Sequence, residues 1–434
     1  MAMAALQRLG ASASAAALLL LDPAAALRWG AAETRPDMSS LLNSMGPMCY
    51  NFDAPQGVKE CRMGSQEACP MTSLRGAASA LVYPGGKTRC LSNDKPDYAF
   101  QVFPGDTDKL YILFDGGGAA WDQLSTAVGA ANKSAVTPIV ESGFLRRGDE
   151  RNPFSRHTII VVQYCSGDLH AGDKVQSYRD SHNKPVVQAG YHNTMSAVDW
   201  ALANMQPTLK SLAVSGVSAG SIAAEVWSFK LLRTFKYESA RIWADSYVPI
   251  FPPHFQGKVF KHLGVCDHDL LEGEWLDKCN RRSLNIEDVF DAAIKAHPQV
   301  GFASVTSTHD WGQTLYFKLT ALTDLKMEEF VTFDGDHFHR RACKMFQRYH
   351  EHPNFVSFMM ESNIHIFQLC DDAFTYAIEA DGVAGKSKVF FADWVKQFMD
   401  GSGASAVRSA ASLGRGPGTC DKEVLSKKTL KLTS

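Results

Sequence analysis

From residue 110 onward the chain alternates short apolar runs with helix-spaced apolar segments. That alternation predicts an α/β fold, a mostly parallel sheet flanked by helices. Residues 110–114 are one unbroken apolar run, and 158–164, reading Thr-Ile-Ile-Val-Val-Gln-Tyr, are another. Runs without polar alternation suit strands covered on both faces. Residues 190–205 predict a helix, with Met195, Val198, Leu202 and Met205 at helical spacing. A strand at 212–215, a helix at 222–232 and a strand at 241–246 follow. Further strands are expected at 300–306 and 354–360, with helices at 314–322 and 340–349. Residues 33–100 give no such rhythm and predict an irregular entry region. Residues 248–298, rich in Pro, His and Cys, predict an insertion or lid. From Asp400 the chain turns Gly/Ser/Ala-rich and then basic, the composition of a disordered tail. No internal repeat is present.

Composition narrows the class. The 434 residues are 45% hydrophobic and 21% charged, with a formal net charge of -2, which is ordinary for a globular protein with a large core. No basic block interleaves with aromatics, so a nucleic-acid partner is not expected. Near the N-terminus Arg8 precedes an uncharged run from Gly10 to Leu21, and Ala24-Ala25-Ala26 follows. This is the layout of a secretory signal over residues 1–26, with a transit peptide or an Ala-rich tail as alternatives. The run is too short to span a bilayer, and no other segment is long and apolar enough to do so. Ten cysteines suit an exported, disulfide-bearing chain; buried free thiols are the alternative. Cys49, Cys61, Cys69 and Cys90 fall early, and Cys266 and Cys279 bracket a short loop and could pair, but spacing assigns no connectivity. Asn132-Lys133-Ser134 is a lone glycosylation sequon.

The chemistry centres on Gly216-Val217-Ser218-Ala219-Gly220. A serine between two glycines, on a turn from a buried strand into a helix, is the nucleophile elbow of α/β-hydrolases. Such a serine needs a base, a group that orients the base, and donors for an oxyanion. In that fold they follow in the order serine, acid, histidine, each after a strand. Asp310, directly after the 300–306 strand, is the favoured acid, although an aspartate before a helix is equally well explained as an N-cap. Asp245 is the competitor and otherwise lines the site. His365, after the 354–360 strand, is the favoured base among 14 histidines. Gly116-Gly117-Gly118, closing the 110–114 strand, lets backbone N–H groups approach a ligand; Gly117 and Gly118, with Ala219, are the expected oxyanion donors, and a plain flexible loop is the alternative. Trp121 and Tyr164 could stack on a substrate or serve as core aromatics. His309-Asp310 and Cys266-Asp267-His268-Asp269 lack the spacing of a zinc site, and no phosphate or dinucleotide loop is present, so no metal or cofactor is expected.

At these positions the chain resembles the plant-type pectin acetylesterase family, which includes the animal carboxylesterase Notum. Leu113-Phe114-Asp115-Gly116-Gly117-Gly118 with Trp121 is similar to its oxyanion segment. Gln163-Tyr164-Cys165-Ser166-Gly167-Asp168 is similar to its tyrosine–cysteine stretch, and Gly216 to Gly220 to its serine motif. Ala244-Asp245-Ser246, Asp310 and His365 fall where that family has its Asp-Ser segment, acid and base. The similarity spans residues 45–400. Val217 and Ser221 stand where the family often has cysteine and glycine, and its His-Phe-Arg-Gly box is replaced by Gln188-Ala189-Gly190-Tyr191-His192. These departures touch the pocket walls more than the triad. The resemblance implies a secreted, metal-free serine esterase with one domain over 27–400 and a tail over 401–434. The implied substrate is an acetylated polysaccharide; a longer acyl ester, or a hydrolase fold without catalysis, are the alternatives. Oligomeric state is not legible.

Overall fold

The computed structural model describes residues 57–64, 68–92, 97–127, 131, 135–180, 182–382, 385–401 and 420. All belong to the second of two contact-defined units, residues 46–434. The expected signal segment, Cys49, the sequon at 132–134 and the tail beyond 401, apart from Cys420, lie outside the described residues.

A nine-stranded sheet forms the centre. In chain order its strands are β1 (Val58–Arg62), β2 (Ser79–Tyr83), β3 (Phe100–Phe103), β4 (Asp106–Phe114) and β5 (His157–Val162). A hairpin of β6 (Lys174–Arg179) and β7 (Pro185–Gln188) intervenes. The sheet then continues with β8 (Ser211–Val217), β9 (Ala240–Asp245), β10 (Gly301–Ser307) and β11 (Phe355–Met360). Their spatial order is β1-β2-β3-β5-β4-β8-β9-β10-β11. Only β3 pairs antiparallel to its neighbours; the other pairings are parallel.

The central strands are buried on both faces, which is why they carry unbroken apolar runs. Leu110, Ile112 and Phe114 of β4 face one core cluster, and Tyr111 and Leu113 face the other, as the two-residue strand period requires. Helices cover both sides. They include Gly190–Asn204, Ala219–Thr234, Ile286–Ala296, Trp311–Thr323, Gly335–Tyr349 and Phe391–Asp400.

The structure corrects one expectation. Residues 33–100 are not wholly irregular, because β1, β2 and β3 extend the sheet at one edge. Short strands split by turns carry too little apolar rhythm to be seen alone. In the helix Gly190–Asn204 the buried face runs through Asn193, Thr194, Ala197, Val198, Trp200 and Ala201, while Leu202 is half exposed. Val198 and Met205 of the helical row are buried in the same core cluster, with Met195 packed against it. Residue 400 ends a helix, and Cys420 is joined to Cys343 on the helix Gly335–Tyr349, so the C-terminal segment is tethered at that point. The segment 248–298 holds the helices Phe255–His262, Gly273–Asn280 and Ile286–Ala296.

Four disulfides join described cysteines: Cys61–Cys69, Cys90–Cys165, Cys266–Cys279 and Cys343–Cys420. Cys90 therefore leaves the early cluster and pairs across 75 residues. Among the described residues no helix is long and apolar enough to cross a membrane.

Candidate active site

β4 connects to β5 on one side, and the chain later returns to β8 on β4's other side. This is a switch point, where crevices open at the carboxyl ends of parallel strands. Ser218 follows β8 there. Its backbone has φ 54° and ψ -121°, a conformation that costs a non-glycine residue of order 1–3 kcal/mol and that a tight strand-to-helix turn imposes. The flanking glycines are steric necessities. A Cβ on Gly216 would lie 1.9 Å from the Gly220 carbonyl oxygen, and one on Gly220 would lie 2.2 Å from that of Phe114.

Three side chains from three strand ends meet at this turn. His365 Nε2 is 2.9 Å from Ser218 Oγ, and His365 Nδ1 is 2.7 Å from Asp310 Oδ1. Asp310 is fully buried and His365 nearly so. Asp310 is also the N-cap of the helix Trp311–Thr323, since its Oδ1 accepts the Gln313 N–H at 2.9 Å. Gln313 Nε2 donates to Asp310 Oδ2 at 2.9 Å and to Thr306 Oγ1 at 3.0 Å. One carboxylate thus both caps the helix and bonds the His365 ring. The imidazole has little freedom: Trp311 meets it edge-on at 5.7 Å, and a Cβ on Gly312 would come within 2.6 Å of its ring.

Gly118 and Ala219 line the cavity beside Ser218; Gly117 is not among the lining residues. Ala219 is the first residue of its helix, so its N–H has no intrahelical acceptor and sits at the positive end of the helix dipole. Gly117 and Gly118 have φ of 150° and 72°, values that favour glycine. The loop before them is held from outside. His170 Nε2 bonds the Asp115 carbonyl oxygen at 2.8 Å, and the Ala120 N–H donates to the Gly167 carbonyl at 2.7 Å. Behind it, the buried Asp168 accepts from Ser166 Oγ and the Gly190 N–H. Burial pushes its carboxyl up to about 6 against those hydrogen bonds.

The cavity encloses about 610 Å³ of space, its open mouth included. Its wall includes Trp121, Ile222, Tyr247, Phe251, Phe255 and Tyr316. Trp121 therefore lines the site as expected. Tyr164 does not. Its hydroxyl accepts the Leu169 N–H at 3.0 Å, and its buried ring stacks on His170 at 4.5 Å. Asp245 is fully buried and is not a lining residue. Its carboxylate accepts the N–H groups of Phe367 and Gln368 instead.

Sequence reasoning missed Gln313, which holds Asp310, and the aromatic wall. The spacing of Tyr247, Phe251, Phe255 and Phe260 at near-helical intervals was the available signal for that wall. No metal cluster is evident at this site among the described residues. The one grouping with ligand-like geometry is His339, Cys343 and Cys420, and its two cysteines form a disulfide. In comparisons with known proteins, no family model and no curated protein matches the chain.

Proposed function

We propose that this chain is a serine carboxylic-ester hydrolase of the α/β-hydrolase type, acting by acyl transfer on esters with an apolar acyl chain. One observation carries the reading: the hydrogen-bonded relay Ser218–His365–Asp310 at 2.9 and 2.7 Å, opening onto an apolar cavity. Its chain order, with each group after a parallel strand, supports that fold type.

Ser218 Oγ attacks the ester carbonyl as His365 Nε2 takes its proton. Asp310 fixes the tautomer by accepting a hydrogen bond from Nδ1–H and stabilises the imidazolium, the proton remaining on the ring. The N–H groups of Gly118 and Ala219, with Gly117, receive the tetrahedral oxyanion, a contribution worth about 3–4 kcal/mol per donor. The C–O bond then breaks, and His365 returns its proton to the leaving alcohol. Water repeats the sequence on the acyl-serine and releases the acid.

The resemblance implies an acetylated polysaccharide, but the wall favours a longer acyl chain. Of the polar groups it carries, the Tyr247 hydroxyl has no hydrogen-bond partner, but several others are engaged. Trp121 Nε1 donates to Thr323, both ends of the Gln256 amide bond Glu287 and the Ile286 N–H, and Thr320 donates to the Phe317 carbonyl. Sugar hydroxyls would find few partners there, while an alkyl chain gains about 0.8 kcal/mol per buried methylene. The four disulfides support an oxidising, extracellular setting.

A fluorophosphonate probe should label the protein and fail on Ser218→Ala, and His365→Ala should lose several orders of magnitude in kcat. Across acyl esters from acetyl to palmitoyl, kcat/KM should rise with chain length. Failure to label overturns the hydrolase reading; a maximum at acetyl overturns the chain-length reading.

A further inference from the structure

The nucleophile and the base follow separate strands, β8 and β11, and one residue on β9, the first of the two strands between them, touches both segments. Asp245 ends β9. Its carbonyl oxygen accepts the N–H of Ser218 at 2.9 Å and the hydroxyl of Ser221 at 2.7 Å, so its backbone grips the elbow. Its carboxylate points the other way. Oδ2 accepts the Gln368 N–H at 2.8 Å, and both oxygens lie 3.1 Å from the Phe367 nitrogen. Ser246 completes the set: its hydroxyl donates to Asp245 Oδ1 at 2.9 Å and accepts the Ile366 N–H at 2.7 Å.

Three consecutive N–H groups, directly after His365, are therefore fastened to two consecutive side chains directly beside the nucleophile. Outside a helix N-terminus, successive amides converge where the backbone makes a turn through a left-handed residue. Here Ile366 has φ 75° and Ser246 φ 62°, left-handed values that cost a residue with a Cβ, the β-branched Ile366 above all. Gln368 adds a second tie, since its side chain accepts from Ser215 Oγ at 3.0 Å and donates to the Gly216 carbonyl at 3.3 Å. All of these groups are buried, so water does not compete for them.

We propose that Asp245, with Ser246, is the positioning pair that sets the distance and angle between Ser218 and His365 by clamping the backbone of residues 366–368. This rests on the reading of Ser218 and His365 as nucleophile and base. The pair acts through backbone and contacts neither the substrate nor the reacting atoms. It also accounts for an aspartate at a position where the sequence offers a rival acid: its oxygens are occupied by the base's own loop, which leaves Asp310 to orient the ring.

The clamp has a measurable signature. Burial pushes the Asp245 carboxyl up to about 6, opposed by its amide and Ser246 bonds and by His365. The other titratable groups facing it are Tyr111 on β4 and Tyr376, between β11 and the helix Phe391–Asp400; burial raises both, so both stay neutral through this range. As pH falls through about 6, Asp245 takes up a proton, and one acceptor becomes a donor facing an N–H. Activity then loses a proton-linked factor, and the acid limb of kcat/KM steepens.

The experiment compares wild type, Asp245→Asn and Ser246→Ala on one ester, with circular dichroism as the check of folding. Wild type that neither hydrolyses esters nor takes the fluorophosphonate overturns the hydrolase reading and leaves the clamp without a reaction. With active wild type, Asp245→Asn should lower kcat about 10²-fold, the scale of an ångström of misplacement. KM should stay within about twofold, and the acid limb should lose its extra steepness. Ser246→Ala, which removes one small buried hydroxyl, should lower kcat several-fold in the same KM-silent way, and it decides the matter if Asp245→Asn does not fold. Folded variants that keep wild-type kcat, or that change KM alone, overturn the clamp.

Discussion

Asp310 carries two loads, and they separate under substitution. As N-cap it accepts the Gln313 N–H, and asparagine caps a helix about as well as aspartate does. As orienter it must accept from His365 Nδ1, and an amide there permits the wrong tautomer. Asp310→Asn should therefore shift the unfolding free energy by about 1 kcal/mol or less from the cap while lowering kcat about 10⁴-fold. Chemical denaturation and steady-state kinetics on the same preparation check both. Equal losses in stability and activity would place the aspartate in the fold alone. Ser218, Asp310 and His365 were legible because strand, turn and chain order are written in the sequence. The role of Asp245 was not. A sequence shows that an aspartate ends a strand, but not that its carboxylate turns toward the backbone of residues 367–368, which lie more than a hundred positions away.

At the scale of elements, the helix Ala219–Thr234 has one costly member. Glu225 is fully buried, with Tyr247, Tyr349 and Glu287 as its electrostatic neighbours, and neither carboxylate oxygen has a hydrogen-bond partner. Burial, and secondarily Glu287, hold its carboxyl well above the ordinary value, so the folded chain keeps the proton to a higher pH than the unfolded chain does. The sign follows from linkage. Below the unfolded value near 4.5 both states hold the proton. As pH rises past it, only the unfolded state releases the proton, and stability falls by up to about 1.4 kcal/mol per pH unit until the folded group titrates. Glu225→Gln, which cannot ionise, should lie nearest wild type below about pH 4.5 and gain on wild type in melting temperature as the pH rises above it. Parallel melting curves across that range would rule out a protonated Glu225. Elements themselves were readable where they are long or fully apolar: β4, β5 and β8, and the helices Trp311–Thr323 and Gly335–Tyr349, fall within a few residues of expectation. β1 to β3 and the hairpins were not, because four to six residues with mixed polarity have no period to detect.

For the whole molecule, the crevice depends on ties that bring distant chain together at the carboxyl ends of β4 and β8. Cys90–Cys165 is one of them. It closes a 75-residue separation, and beside it the Leu91 N–H donates to the Cys165 carbonyl, while Ala120 donates to Gly167. The disulfide therefore anchors the segment 165–170 that holds the glycine loop over Ser218, through His170 and Asp115. Cys266–Cys279, with a separation of 13, braces a peripheral pair of helical turns. Loop-closure entropy assigns the long bridge about 4.5 kcal/mol and the short one about 3 kcal/mol. Geometry adds a difference in kind. Replacing Cys90 and Cys165 together by alanine should lower both the melting temperature and kcat, because the oxyanion donors lose their support as the chain loses stability. Replacing Cys266 and Cys279 should lower the melting temperature and leave kcat at 25 °C near wild type. Calorimetry with kinetics well below each transition tests the contrast; equal kcat in the two double variants would mean that the glycine loop is held by its hydrogen bonds without help from the bridge.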